Sequence, residues 1–264
     1  ADIVTEAKDK LITLGISSHA PLPFNCAWCM KEKELPVYID NINKQKESSD
    51  QSIEVYCGLE VDYIPKLIGP ADFDSQLDYT IGSIHFVDAL ENGKPWEIDG
   101  KHAEFLIGFK EIFNNDIKKT VSRYYALTRE MIEKSTPDVV GHLDKIKIQN
   151  IDNQLFNEHE AWYQGEVQAT LRSIKEAGVI VEVNTRGLYQ KKSVTTYPSP
   201  WILALMYDLQ IPITLNSDAH HPKDLVNQFT ETAQMLNTIG YSQIKILHEG
   251  VWQSFSFNEN GIIL

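Results

Sequence analysis

Two spacings of apolar residues alternate along this chain, a run a few residues long and a stripe recurring every three to four positions. The stripe Ile3, Ala7 and Leu11 predicts a helix over residues 2–14, with Gly15 as its stop and 15–18 as a short strand. Residues 52–61, rich in Ile, Val and Tyr, and residues 79–86 predict two further strands. Ile117, Val121, Tyr124, Thr128 and Met131 share one face of a helix over 116–135. Pro137 breaks it, and 138–141 opens a buried strand. A helix over 160–177, stopped by Gly178, leads to an apolar strand over 179–183 that Glu182 interrupts. Ser199-Pro200 is a helix start, with Ser at the N-cap and Pro at the first helical position, for a helix reaching about Leu209. A strand over 211–215 and a long helix over 224–238 complete the pattern.

Strands alternating with helices predict an α/β fold with a parallel sheet, either open or closed into a barrel. Its ligands belong at the C-terminal ends of the strands. No repeat, low-complexity tract or Gly/Ser-rich linker marks a boundary, so residues 1–264 read as one domain.

With 42% hydrophobic and 10% aromatic residues, the 264-residue chain has enough apolar material for one packed core. Its 37 acidic against 24 basic residues give a formal net charge of -13. That balance weighs against a nucleic-acid partner, because phosphate neutralisation drives such binding. Bound divalent cations would offset part of the acidic excess. No apolar run approaches the roughly 20 residues needed to cross a bilayer, and residues 1–14 lack the pattern of a signal peptide. Cys26, Cys29 and Cys57 cannot all pair with one another, which fits a reducing compartment, so the expectation is a soluble cytoplasmic protein.

The chemistry collects at strand ends. His19 follows the run 15–18, Glu60 ends the run 53–59, His85 ends 80–84, His142 follows 137–141, and Asp218 and His220 follow 213–217. A lone histidine at a strand end is more often a hydrogen-bonded structural residue. Five such endings on one rim of a parallel sheet point instead to a metal centre, since neutral imidazole with anionic oxygen suits Zn, Mn or Fe. In Asp218-Ala219-His220, alternate residues can project two ligands to one side. His102, His159 and His248 lie in charged or helical contexts and read as surface residues, and His221 as the outward neighbour of His220. Cys26-Ala27-Trp28-Cys29 has redox or zinc spacing but reads as packing in a loop with Pro21, Pro23 and Phe24. Neither a Gly-rich phosphate loop nor a Gly-x-Ser-x-Gly elbow is present. Isolated cations near strand ends, Arg186 and Lys147, are therefore the candidates for holding a phosphate, with a solvated surface charge as the alternative for each.

Gly15-Ile16-Ser17-Ser18-His19-Ala20-Pro21, Gly58-Leu59-Glu60-Val61-Asp62-Tyr63, Gly82-Ser83-Ile84-His85-Phe86, Gly141-His142-Leu143-Asp144 and Asn216-Ser217-Asp218-Ala219-His220-His221-Pro222 occur in this order. Together they resemble the PHP (polymerase and histidinol phosphatase) superfamily over about residues 1–225, in particular its histidinol-phosphate phosphatase branch. Glu182-Val183-Asn184-Thr185 and Thr196-Tyr197-Pro198 are similar to segments of that branch. The resemblance implies a distorted (β/α) TIM-like barrel with two or three divalent metal ions (Zn, Mn or Fe) at the strand C-termini. It implies that Glu60 bridges metals, that His85 and His142 complete one site, that His19 and His220 contribute to another, and that Asp218 holds a third or shared ion. Glu60, Asp218 and His220 would then form the catalytic centre, and Arg186 and Lys147 would grip the phosphate of a small phosphorylated substrate. A hydroxide bridging the metals would attack phosphorus in line. The implied reaction is hydrolysis of L-histidinol phosphate to histidinol and phosphate. Another small phosphate ester or a nucleotide, or a non-catalytic metal-binding remnant, are the alternatives. The family opens with a strand carrying His-x-His, whereas this sequence opens on the helix expected after it. The expectation is that three ligands and the first barrel strand belong to an omitted N-terminal segment, with a damaged or circularly incomplete family member as the alternative.

Overall fold

The computed structural model describes residues 2–48 and 52–263. Asp2 caps helix α1 (Ile3–Lys10) by accepting the Val4 amide, and Leu11 closes it in the left-handed conformation. Gly15 is therefore not the helix stop. It lies within strand β1 (Leu14–His19), where an added Cβ would sit 2.4 Å from the Tyr79 hydroxyl. Gly58 faces the same ring in strand β2 (Val55–Asp62), so two glycines make room for one buried tyrosine.

The predicted strand over 79–86 is two. Strand β3 (Tyr79–Ser83) stays in the main sheet, and β4 (Phe86–Ala89) pairs antiparallel with β5 (Pro95–Glu97) as a separate hairpin. Helix α4 (Ile117–Lys134) matches its predicted stripe closely, with Asp116 capping it through the Lys119 amide. It packs on α5 (Ala161–Ala177), which Gly178 ends at φ 70. Between and after these come β6 (Val139–Val140), β7 (Ile180–Asn184), α7 (Pro200–Asp208) and β8 (Ile213–Asn216). The last predicted helix begins late: 222–224 form a 3₁₀ turn, and α8 spans Phe229–Ile239. Helices α2 (Leu35–Ser48) and α3 (His102–Phe113) and the short α6 (Arg186–Tyr189) were not anticipated. Nor was a C-terminal antiparallel sheet of β9 (Gln243–His248), β10 (Val251–Asn258) and β11 (Gly261–Ile262).

The main sheet has six strands in the order β1-β2-β3-β6-β7-β8, and every neighbouring pair is parallel. The four central strands β2, β3, β6 and β7 are buried throughout, as expected of parallel strands covered on both faces. The sheet is curled. Leu225 and Val226, beyond β8, pack in one apolar cluster with Val4 and Ala7 of α1, with Leu14 of the opposite edge strand β1 and with Val55 of β2 beside it. Among the described residues β1 and β8 do not pair, so the fold is a half-barrel rather than a closed one. Six parallel strands therefore deliver their C-terminal ends to one rim.

Candidate metal centre

β1 and β2 pair with His19 opposite Glu60, so register alone sets an imidazole beside a carboxylate. Glu60 and Asp62, alternate residues of β2, each engage partners at that rim. His19, Glu60 and His85 each offer a ligand atom within 4.8 Å of the others. His142 joins them, its Nε2 lying 3.0 Å from Glu60 Oε1, while Ser83 Oγ donates to the same oxygen at 2.7 Å. Burial opposes ionisation of Glu60, but the imidazoles of His19, His142 and His85 override it and hold the carboxyl well below its ordinary range.

Asp62 orients His85. Its Oδ1 accepts both the His85 amide (2.9 Å) and Nδ1 (3.1 Å). The Nδ1–H is fixed on Asp62, and Nε2 is turned toward Glu60, 3.6 Å away. Burial disfavours the imidazolium, yet Asp62, Asp99 and Glu60 push His85 up to about 10. The cluster thus has unneutralised negative charge that a proton partly offsets. For His19, burial prevails over these carboxylates and lowers the imidazole pKa.

Behind the rim, Glu182 of β7 accepts the His142 amide (2.9 Å), the Asn184 side chain (3.0 Å) and the Asn216 side chain (3.1 Å). Asn184 also donates to Asp218 Oδ2 at 3.2 Å, which links Asp218 to the same network. Burial raises the Glu182 carboxyl pKa. Asp218 stands at φ 49, a left-handed conformation that aspartate tolerates better than most residues. Arg186 Nη1 donates to the Asp218 carbonyl oxygen and to His220 Nδ1, each at 2.6 Å. Because a guanidinium cannot accept, His220 Nδ1 is the acceptor. His220 sits farther out than the buried imidazoles, its ring 6.3 Å from that of His19 and its side chain 57% exposed.

All six predicted ligands and Arg186 line one cavity of about 230 Å³. Lys147 does not reach it. Its ammonium is buried and donates to Asp144 (2.8 Å), Thr195 (3.0 Å), the Thr196 carbonyl (2.7 Å) and Ser199 Oγ (2.6 Å). Ser199, at the N-cap position of α7, spends its hydroxyl on this lysine and caps nothing. The cavity cations are instead Lys145 and Lys192, with Arg186. The reason is local. Residues 145–149 form a 3₁₀ helix, in which i and i+3 eclipse, so Lys145 and Ile148 share the cavity side and Lys147 turns away. Cys26 and Cys29, expected from sequence to be loop packing in a protein of a reducing compartment, form a disulfide, while Cys57 is a buried free thiol. The loop they close carries Trp28 to the cavity, edge-on to His19 at 4.6 Å and His85 at 5.4 Å. His102, His159, His221 and His248 lie outside the cavity lining.

The donor set fits divalent metal. It is imidazole and carboxylate only, and the buried Nδ1 atoms of His19 and His142 have no hydrogen-bond partner. His19 Nδ1, 3.6 Å from the ionised Glu60, is placed to share a divalent cation with that carboxylate. A sequence model of the PHP domain matches residues 1–186. The chain belongs to the PHP domain family. A protein from Deinococcus radiodurans named "Probable histidinol-phosphatase" is 27% identical over 246 residues, covering 89% of this chain and 85% of that protein. The "Histidinol-phosphatase" of Bacillus subtilis is 26% identical over 238 residues, covering 81% and 83%. A crystal structure from Listeria monocytogenes, described as that of "the putative histidinol phosphatase hisK", superposes with a TM-score of 0.74 at 23% identity, covering 87% of this chain and 92% of that one. The histidinol phosphate phosphatase of Lactococcus lactis, solved with zinc, L-histidinol and phosphate, gives 0.62 at 17% identity, covering 99% and 91%. At these identities the two structures speak for the PHP fold. No helix among the described residues is long and apolar enough to cross a membrane.

Proposed function

We propose that this chain is a metal-dependent phosphomonoesterase that hydrolyses L-histidinol phosphate to L-histidinol and phosphate. The observation that carries the reading is the meeting of His19, Glu60, His85 and His142 around partnerless imidazole nitrogens, with Asp218, His220 and three cationic side chains lining the same cavity. The names of relatives that span most of this chain support the substrate. Glu60, His85 and His142 would hold one divalent ion, with Glu60 shared; His19 and His220 would hold a second, and Asp218 a third or shared ion. Such ions lower the pKa of water and neutralise charge on phosphoryl oxygens. Arg186 and Lys192 bind the non-bridging oxygens of the ester and add charge neutralisation as the equatorial oxygens accumulate it, while Lys145 is held by Asp99. Asp218, with Asn184 donating to its Oδ2, orients the attacking water and takes up its proton. Asp62 and Glu182 keep His85 and His142 aligned through bonds to their amides.

The test is phosphate release after reconstitution with Zn, Mn or Fe, across L-histidinol phosphate, sugar phosphates and nucleoside monophosphates. Selective release from L-histidinol phosphate, lost in His85→Ala and Asp218→Ala together with bound metal, is the expected result. Selective turnover of another ester would move the substrate, and no turnover of any ester by metal-loaded protein would reject the phosphatase reading.

A further inference from the structure

The cavity is acidic at one end and basic at the other. A chain of contacts leads from Glu97 through Trp28 to His19, His220 and Arg186. The Trp28 indole donates to Glu97 Oε2 at 3.2 Å, the Trp28 and His19 rings lie 4.6 Å apart, and His220 accepts from Arg186. Phosphate belongs with Arg186 and Lys192. The Glu97 end repels it. Glu97 and Asp99 are alternate residues running out of β5, both on the cavity, while Ile98 between them is wholly buried. Asp99 is already engaged, 3.7 Å from Lys145 and 3.9 Å from His85. Among the described residues no lysine or arginine pairs with Glu97. It accepts from the neutral Trp28 indole, and Trp28 itself is 38% exposed.

A carboxylate fixed at the edge of an anion-binding cavity, without a cation of its own, repels a phosphoester unless the far part of that ester is positive. We infer that Glu97, positioned by the Trp28 indole, is a specificity-determining residue that binds the ammonium group of an amino-alcohol leaving group. Trp28 adds an aromatic wall that a cation favours. Gly100 is part of the device: a Cβ there would stand 2.5 Å from Glu97 Oε1, so the glycine leaves room for the carboxylate. This inference rests on the phosphomonoesterase reading above and specifies what distinguishes its substrate from a neutral alkyl phosphate.

Three measurements on the metal-loaded full chain decide it. In Glu97→Gln, the ratio of kcat/KM for L-histidinol phosphate to that for propyl phosphate falls about tenfold or more, as expected for a lost charge-assisted contact. L-Histidinol binding, followed by calorimetry without turnover, weakens by a similar factor, while the affinity for inorganic phosphate stays the same. Gly100→Ala displaces the carboxylate without removing it, and lowers the same ratio with a near-native melting temperature. An unchanged ratio with unchanged histidinol affinity in Glu97→Gln overturns the assignment. So does an equal loss on both esters, which would mean a structural role. If the wild type hydrolyses neither ester, the phosphatase reading fails on its own, and the histidinol titration still decides whether Glu97 holds the amine.

Discussion

The Asp62→Asn substitution isolates the part of the site that acts only through another residue. Asp62 is 3% exposed and accepts two bonds from His85, one from its amide and one from Nδ1. Asparagine has almost the same shape, so the cavity keeps its volume. What changes is the acceptor, from an ionised oxygen to a neutral one. A hydrogen bond to a charged group contributes about 1.5–3 kcal/mol and a neutral one about 1 kcal/mol, so two such exchanges cost about 2 kcal/mol. If that loss falls on the orientation and basicity of His85, zinc binding weakens about 30-fold, within the range found when partners of metal-bound histidines are removed. The assay is zinc titration against a chromophoric chelator of known affinity, with wild type and variant in the same buffer. Melting of the chelated proteins is the control, and a shift of a few degrees at most keeps the effect on binding rather than folding. A zinc affinity within twofold of wild type would refute the argument, because the carboxylate would then be neither aligning His85 nor strengthening it as a donor.

Protonation supplies a second test. The folded His85 is pushed up to about 10 from 6.5, so its contribution to the stability of chelated protein is fully present below pH 6.5 and is lost as pH rises toward 10. The melting-temperature gap between wild type and His85→Gln should therefore shrink over that window, and a gap constant with pH would contradict the assignment. Lys147→Met leaves Asp144 buried without its cation, which costs about 3–5 kcal/mol and lowers the melting temperature by about 10 °C. A large rise in KM at unchanged melting temperature would instead return Lys147 to the phosphate. Arg186→Ala should raise KM about tenfold, since the side chain lines the cavity with its guanidinium against Asp218 and His220, and unchanged kinetics would leave it a surface charge.

Much of the fold was legible because the signals that decide it are local. The stripe of α4, with Asp116 before it and Pro137 after it, sets both ends of that helix, and Gly178 ends α5 as a left-handed residue. The parallel sheet followed from buried runs between helices. What misled was chemistry that depends on the partner across space. Gly15 looks like a helix stop in sequence, yet it is glycine because the Tyr79 hydroxyl occupies the space of its Cβ. The break between Ser83 and Phe86 is equally invisible in an apolar run, since it arises where His85 leaves the sheet to meet Asp62. The antiparallel C-terminal sheet is only partly buried along β10 and so carries no continuous apolar run to mark it.

The site divides along the same line. A residue at the end of a parallel strand must arrive at the common rim, and this is why the sequence alone groups His19, Glu60, His85, His142 and Asp218. Residues on connecting segments obey no such rule. Lys147 lies well beyond the end of β6, whereas Asp218 closely follows β8, and the 3₁₀ turn sends Lys147 into the protein and brings Lys145 to the cavity, an exchange that a two-residue shift in sequence cannot reveal. Glu182 was visible as a carboxylate in an otherwise apolar strand, and that interruption was the available clue to its role beneath His142. Trp28 and Glu97 gave none, because one belongs to a disulfide-closed loop and the other to a two-stranded hairpin outside the sheet. The rim that holds the shared chemistry is thus encoded by strand order. The residues proposed to choose the substrate sit on a loop and a hairpin that the main sheet does not constrain, where specificity can change without disturbing the metal ligands.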